Sequence, residues 1–205
     1  MAEPTTETQR TYDVIAPEYA RHTSTVYPRL MEEVASLAAH LSLGGRVADV
    51  GCGPGREVGL LRAEGFTVLG LDLSLGQLRA GGLPGVAQAD MRRLPVRSGS
   101  LDAVWSQAAL LHIPRETVPT VLDEFGRTVR PGGWLYLAVA EGDGERWEVA
   151  SAYGATTERR WFTFHREPDL RAMLGAAGFR VEWVGRHTSG RDWLSLHAVR
   201  VGSGS

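Results

Sequence analysis

The chain contains no lysine; all 22 of its basic residues are arginine. That absence excludes chemistry built on a lysine amine: a Schiff base, a pyridoxal-phosphate anchor or a phosphate-loop lysine. Cysteine is nearly absent as well. The single Cys52 among 205 residues allows no internal disulfide and fits a reducing compartment. No apolar run approaches the roughly 20 residues that cross a bilayer. The opening stretch, Met1 to Glu7, lacks the basic and apolar segments of a signal peptide. Neither sign of charge is in excess. The 22 basic and 24 acidic residues give a formal charge of -2, with no global attraction to nucleic acid or anionic membranes. These absences predict a soluble cytoplasmic protein with neither nucleic acid nor membrane as partner.

What is present is globular in kind, with 43% hydrophobic and 22% charged residues. The length suits one domain. We expect it over residues 11–200, between a loose polar stretch at 1–10 and a flexible tail at 201–205. Helical and strand patterns alternate along the chain. Leu30, Val34, Leu37 and Leu41 keep helical spacing, and Gly44-Gly45 stop that helix. Val47 to Val50 is a short apolar strand running into glycines. Residues 66–71, 86–89, 101–106 and 134–139 follow as strands. Ser74 is placed to cap a short helix, and Val118, Val121, Leu122, Phe125 and Val129 form a clear helical stripe. A long loop over 141–166 leads to a helix through Leu170 and Leu174. Two last strands, 179–184 and 193–199, are joined so tightly that they must be antiparallel. Alternating units of this kind predict a doubly wound α/β fold of seven strands, mostly parallel, with an antiparallel C-terminal edge pair.

Strand one enters Asp49-Val-Gly51-Cys-Gly53-Pro-Gly55. Glycines there permit positive φ and let a ligand approach the backbone at a helix N-terminus. A dinucleotide turn, G-x-G-x-x-G, would place its third glycine at position 56, which is arginine. Asp72 closes strand two, 19 residues beyond Gly53, where a carboxylate can accept both hydroxyls of a ribose. Asp90 closes strand three beside Met91, a pairing of acceptor and apolar surface that suits an adenine.

Together D-V-G-C-G-P-G at 49–55, G-L-D-L-S at 70–74, A-D-M at 89–91, S-L-D-A-V-W-S at 100–106 and R-P-G-G-W-L at 130–135 resemble the class I S-adenosylmethionine-dependent methyltransferases. Thr11-Tyr12-Asp13, with Ala16, Tyr19 and Ala20, resembles the N-terminal entry of their small-molecule, type-11-like branch. The resemblance spans residues 11–200 in order, with a Rossmann-like fold, S-adenosylmethionine as cofactor and S-adenosylhomocysteine as product. It implies that Gly51 and Gly53 pass the methionine portion and that Asp49 organises the turn. Asp72, with Leu73, would hold the ribose, and Asp90 with Met91 the adenine edge. Ser106 and Gln107 would lie near the sulfonium. Tyr12 and Tyr19 would fold over the cofactor, Tyr12 equally being a core aromatic. The acceptor implied is a small molecule with an O, N or S nucleophile. A non-catalytic or non-methylating cofactor-binding domain is the alternative, and a monomer or homodimer is expected.

Acceptor chemistry needs groups beyond the carboxyl ends of the strands. His112, Glu141, Asp143, Glu145 and His165 are the candidates. His112 and Glu141 are the potential proton acceptors, set against readings as a loop pin and a solvated acidic turn. No metal is expected. A calcium loop starting at Glu141 would need glycine at its sixth position and glutamate at its twelfth, where Arg146 and Ala152 stand. The loop's aromatics, Trp147, Tyr153, Trp161, Phe162 and Phe164, either roof an acceptor pocket or pack on the sheet. An aromatic and acidic loop predicts a small planar or basic acceptor.

Overall fold

The computed structural model describes residues 3–154 and 157–202. Seven strands form one sheet in the order β3-β2-β1-β4-β5-β9-β8. They are β1 (Arg46–Val50), β2 (Thr67–Asp72), β3 (Val86–Gln88), β4 (Leu101–Gln107), β5 (Val129–Ala140), β8 (Phe179–Thr188) and β9 (Asp192–Arg200). The first five are mutually parallel. β9 runs antiparallel to both β5 and β8, inserted between them. The expected seven-stranded sheet with its reversed C-terminal edge is therefore present.

Strand alternation explains how both faces are covered. On β5, Leu135, Leu137 and Val139 face one core with Val121, Leu122, Phe125, Leu170 and Leu174. Tyr136 and Ala138 face the other, with Leu30, Val34, Leu37, Val58 and Leu61. The first set comes from α5 (Val118–Thr128) and α6 (Glu167–Ala176). The second comes from α2 (Pro28–Ala38) and α3 (Arg56–Ala63). The short α4 (Leu75–Gly81) is capped as its sequence suggests, Ser74 Oγ accepting the Gln77 N–H at 3.1 Å.

Two expectations fail, for the same reason. Residues 4–10 are not loose but open α1 (Pro4–Thr23). Thr5, Thr8 and Thr11 are buried at helical spacing. The segment expected as loop contains a hairpin, β6 (Glu145–Val149) with β7 (Arg159–Thr163). The two hold each other: Trp161 N–H donates to Thr8 Oγ1 at 2.9 Å, and Thr11 Oγ1 donates to the Arg159 carbonyl at 2.6 Å. Threonine stripes read as polar surface until an unpaired strand edge supplies partners for their hydroxyls. Of the expected tail at 201–205, Val201 N–H donates to the Gly178 carbonyl at 2.9 Å; residues 203–205 lie outside the described residues.

Candidate functional site

Two adjoining cavities open at the carboxyl ends of the parallel strands. The smaller, about 100 Å³, lies over the ends of β1 and β2 and beside Asp90. Gly51 and Gly53 have φ of 81° and 52°. A Cβ on Gly51 would sit 2.1 Å from the Ala109 Cβ, so the turn has no room for another residue. Asp72 Oδ2 accepts the Gly53 N–H at 2.8 Å and Oδ1 the Ser74 N–H at 2.7 Å. Burial pushes the Asp72 carboxyl above its usual range, against those two donors. Each oxygen keeps a second lone pair, and Asp72 itself lines the cavity with Leu73, Asp90 and Met91. Asp90 is gripped by Arg92 through Nε at 3.0 Å and Nη2 at 2.6 Å. Burial raises the Asp90 carboxyl, but Arg92 outweighs it and holds the group below the usual range.

The larger cavity, about 500 Å³, lies under the hairpin and the β8–β9 turn. Tyr12, Tyr19, Gly51, Gly53, Gln107 and His112 line both spaces and form the partition between them. Gln107 Nε2 donates to Tyr27 Oη at 3.0 Å. Ala108, next in the partition, holds a left-handed φ of 52°, a strain of about 1 kcal/mol that a non-glycine residue rarely bears.

His112 is half-buried, its ring set edge-on against Tyr12 and Phe162. Its Nδ1 is 2.6 Å from the Trp161 carbonyl, so Nδ1 carries the proton. Nε2 is then the acceptor for Tyr12 Oη at 2.7 Å. Burial, and then the Arg160 cation, drives the imidazolium pKa down to about 3. A base poised near neutrality, as expected from the residue type, is not what the fold makes of His112. It is a neutral imidazole within the partition, its Nε2 engaged by Tyr12 Oη.

Several other candidates are not brought to the cavities. Ser106 Oγ donates to the Val50 carbonyl at 3.0 Å, tying β4 to β1. Asp49 is buried beneath the turn and its carboxyl is pushed well above the usual range by burial and then by Glu57 and Asp72. Glu141 lines neither space; its oxygens accept Arg186 Nε at 2.8 and 2.9 Å. Asp143 pairs with Arg166, and Glu145 accepts the Arg115 N–H at 2.7 Å. His165 is buried outside both cavities. Residue type alone missed Arg160 and Arg191, which do line the larger cavity, as do Tyr153 and Phe162 of the predicted roof. The signal for Arg160 was its position among the hairpin aromatics and for Arg191 its place in the β8–β9 turn, neither of which names a contact.

A parallel core in this strand order, a glycine turn after β1 and an acidic end to β2 define the class I methyltransferase architecture. A family model described as "Methyltransferase domain" matches residues 48–137. An uncharacterized methyltransferase, C70.08c of Schizosaccharomyces pombe, is 30% identical over 89% of this chain and 79% of its own length. Trans-aconitate 2-methyltransferase of Methylobacterium nodulans is 38% identical over 82% of this chain, which spans 63% of that protein. Proteins named tRNA (carboxymethyluridine(34)-5-O)-methyltransferase also match, one from Arabidopsis thaliana at 32% identity over 63% of the chain and 31% of its own length. The fold matches magnesium protoporphyrin IX methyltransferase from Synechocystis with bound SAM, with a TM-score of 0.73 at 21% identity and 98% coverage of each chain. The chain belongs to the S-adenosylmethionine-dependent methyltransferases, and its cofactor is S-adenosylmethionine.

The smaller cavity fits that group. Among the described residues, Gln77 Oε1 and Gln107 Oε1, both in its lining, are buried acceptors without a partner. S-adenosylmethionine carries the ammonium, amine and hydroxyl donors that such atoms lack.

Proposed function

We propose that the chain methylates a small molecule bound in the larger cavity. The observation that carries this is a second space of about 500 Å³, which shares with the nucleoside side a wall that includes Tyr12, Gln107 and His112. Spaces of roughly 300–1,000 Å³ suit small ligands. When bound, S-adenosylmethionine would supply an electrophilic methyl carbon on a sulfonium, open to in-line attack by an acceptor lone pair as the C–S bond breaks and S-adenosylhomocysteine leaves with that electron pair. Asp72 holds the ribose hydroxyls, and Leu73 and Met91 flank the base with Asp90 at its edge. Gly51 and Gly53 would leave the backbone open to the methionine portion, since neither carries a side chain beside Tyr19. Tyr12 and Tyr19 close the partition over the reacting atoms and exclude water, which favours transfer by positioning. His112 orients Tyr12 by accepting its hydroxyl, and Arg160 Nη1 donates to the same oxygen at 3.1 Å.

The tRNA-directed names among the relatives make the competing acceptor class concrete. Incubation with methyl-labelled cofactor and a cell extract, then separation by size, distinguishes the two. Label in the low-mass fraction is the expected result. Label confined to RNA would overturn the small-molecule reading while leaving the family assignment intact.

A further inference from the structure

Arg160 stands on β7, is 8% exposed and lines the larger cavity. Among the described residues it forms no ion pair. Its Nη1 donates to Tyr12 Oη at 3.1 Å, and its Nε is buried without a partner. Aromatic faces surround it instead. The guanidinium carbon lies 5.5 Å from the Tyr12 ring centre, 5.1 Å from Tyr153 and 5.2 Å from Phe162. Arg191 approaches the same Phe162 ring at 4.2 Å. Its Nη2 is bound by Glu148 at 2.7 Å, but its Nη1 is buried and unpaired.

A buried cation without a counter-charge is destabilising, and ring faces offset only part of its lost hydration. The other two arginines of the lining are already matched: Arg29 pairs with Glu33 and Arg56 with Glu57. Arg191 is matched as well, by Glu148, so the surplus positive charge is that of Arg160, while Arg160 Nε and Arg191 Nη1 both remain without a partner. A planar guanidinium fork matches a carboxylate through two parallel hydrogen bonds. The acidic residues that made the loop look suited to a basic ligand are turned away: Glu141 and Asp143 pair with Arg186 and Arg166.

We infer that the acceptor is a small carboxylic acid, its carboxylate held by Arg160 with Arg191 as the second cation and its flat portion among Tyr12, Tyr153 and Phe162. This rests on the reading that the larger cavity takes the acceptor. It replaces the basic acceptor expected from loop composition with an acidic one, and keeps the planar shape.

The test uses three probes of one size and different charge: benzoate, benzamide and benzylamine. Each is titrated calorimetrically into the protein saturated with S-adenosylhomocysteine. Benzoate should bind at least about tenfold more tightly than either of the others. Arg160→Met, which keeps an unbranched stem for the rings, should remove that preference while S-adenosylhomocysteine affinity stays within about threefold. Arg191→Gln should weaken benzoate without reversing the preference. Equal affinity for benzamide, tighter binding of benzylamine, or no benzoate binding up to ~10 mM would overturn the inference on the unmodified protein alone. If Arg160→Met instead weakens S-adenosylhomocysteine tenfold, the arginine serves the cofactor's own carboxylate and the inference is wrong. Failure of S-adenosylhomocysteine to bind any form would sink the proposed function, and the probe series on the free protein would still decide the charge preference.

Discussion

Replacing Asp72 by alanine perturbs two things that the structure allows to be measured apart. The carboxylate accepts the Gly53 N–H at 2.8 Å and the Ser74 N–H at 2.7 Å, so its loss leaves two enclosed backbone donors without an acceptor. Each such orphan costs about 1–3 kcal/mol, less whatever is regained by no longer burying a carboxyl. The free protein should therefore lose roughly 2–4 kcal/mol of stability. With Asp72 holding the ribose as proposed, loss of those charge-assisted bonds should cost binding about 1.5–3 kcal/mol, or roughly a 10- to 150-fold weaker S-adenosylhomocysteine complex. Denaturant melts of the free protein report the first effect, and calorimetric titration well below the melting point reports the second. Asp72→Asn keeps a carbonyl acceptor without the charge and should fall between. A folded Asp72→Ala protein that binds S-adenosylhomocysteine like the wild type would remove Asp72 from the cofactor site, whatever its stability.

Gly51→Ala must place a Cβ 2.1 Å from Ala109 Cβ at a φ of 81°, so it should cost about 2 kcal/mol or more in a melt; a neutral result would mean the turn can move. His112→Gln should lower turnover less than about tenfold, with no inflection near pH ~6.5 lost from the kcat/KM profile; a loss of about 10²–10⁴ together with such an inflection would restore His112 as a general base. Glu141→Gln should leave turnover unchanged and cost under about 1 kcal/mol in a melt, since its partner Arg186 is on the surface; slowed transfer in this variant would put Glu141 back in the site. Burial, above all, drives His112 to about 3 and both His165 and His197 to about 4. Their unfolded value is about 6.5, so the unfolded chain takes protons first and stability falls as pH drops below about 6.5 toward 4. By pH ~5 each ring removes about 2 kcal/mol, and His165→Leu should flatten the loss between pH ~7 and ~5 by that amount in urea melts; an unchanged slope would mean the charged ring is accommodated.

The strand ends were legible because a buried parallel strand and a glycine turn impose local residue requirements. Val47 faces one core and Ala48 and Val50 the other, so those positions must be apolar, and Gly51 must be glycine for its φ and its distance from Ala109. Asp72 follows from the same geometry, one strand over. The chemistry of the second cavity was not legible, since it depends on contacts across long sequence separations. Tyr12 meets His112 and Arg160 only after α1 packs on β7, and that packing runs through threonine hydroxyls. Residue type alone gave His112 a neutral-range pKa and Glu141 a place near the acceptor. Burial next to Arg160 changed the first, and an outward turn toward Arg186 changed the second. Ser106 lines neither cavity, because its hydroxyl is taken by the Val50 carbonyl of the neighbouring strand.

The division of the site into a nucleoside side and an acceptor side is tested most directly by a crystal structure with S-adenosylhomocysteine bound. The ribose should lie on Asp72 and the base against Met91, with the sulfur at the Tyr12–Gln107 partition and directed toward the space lined by Arg160. A nucleoside seated among Arg160, Arg191 and Phe162, with the Asp72 side left empty, would contradict it.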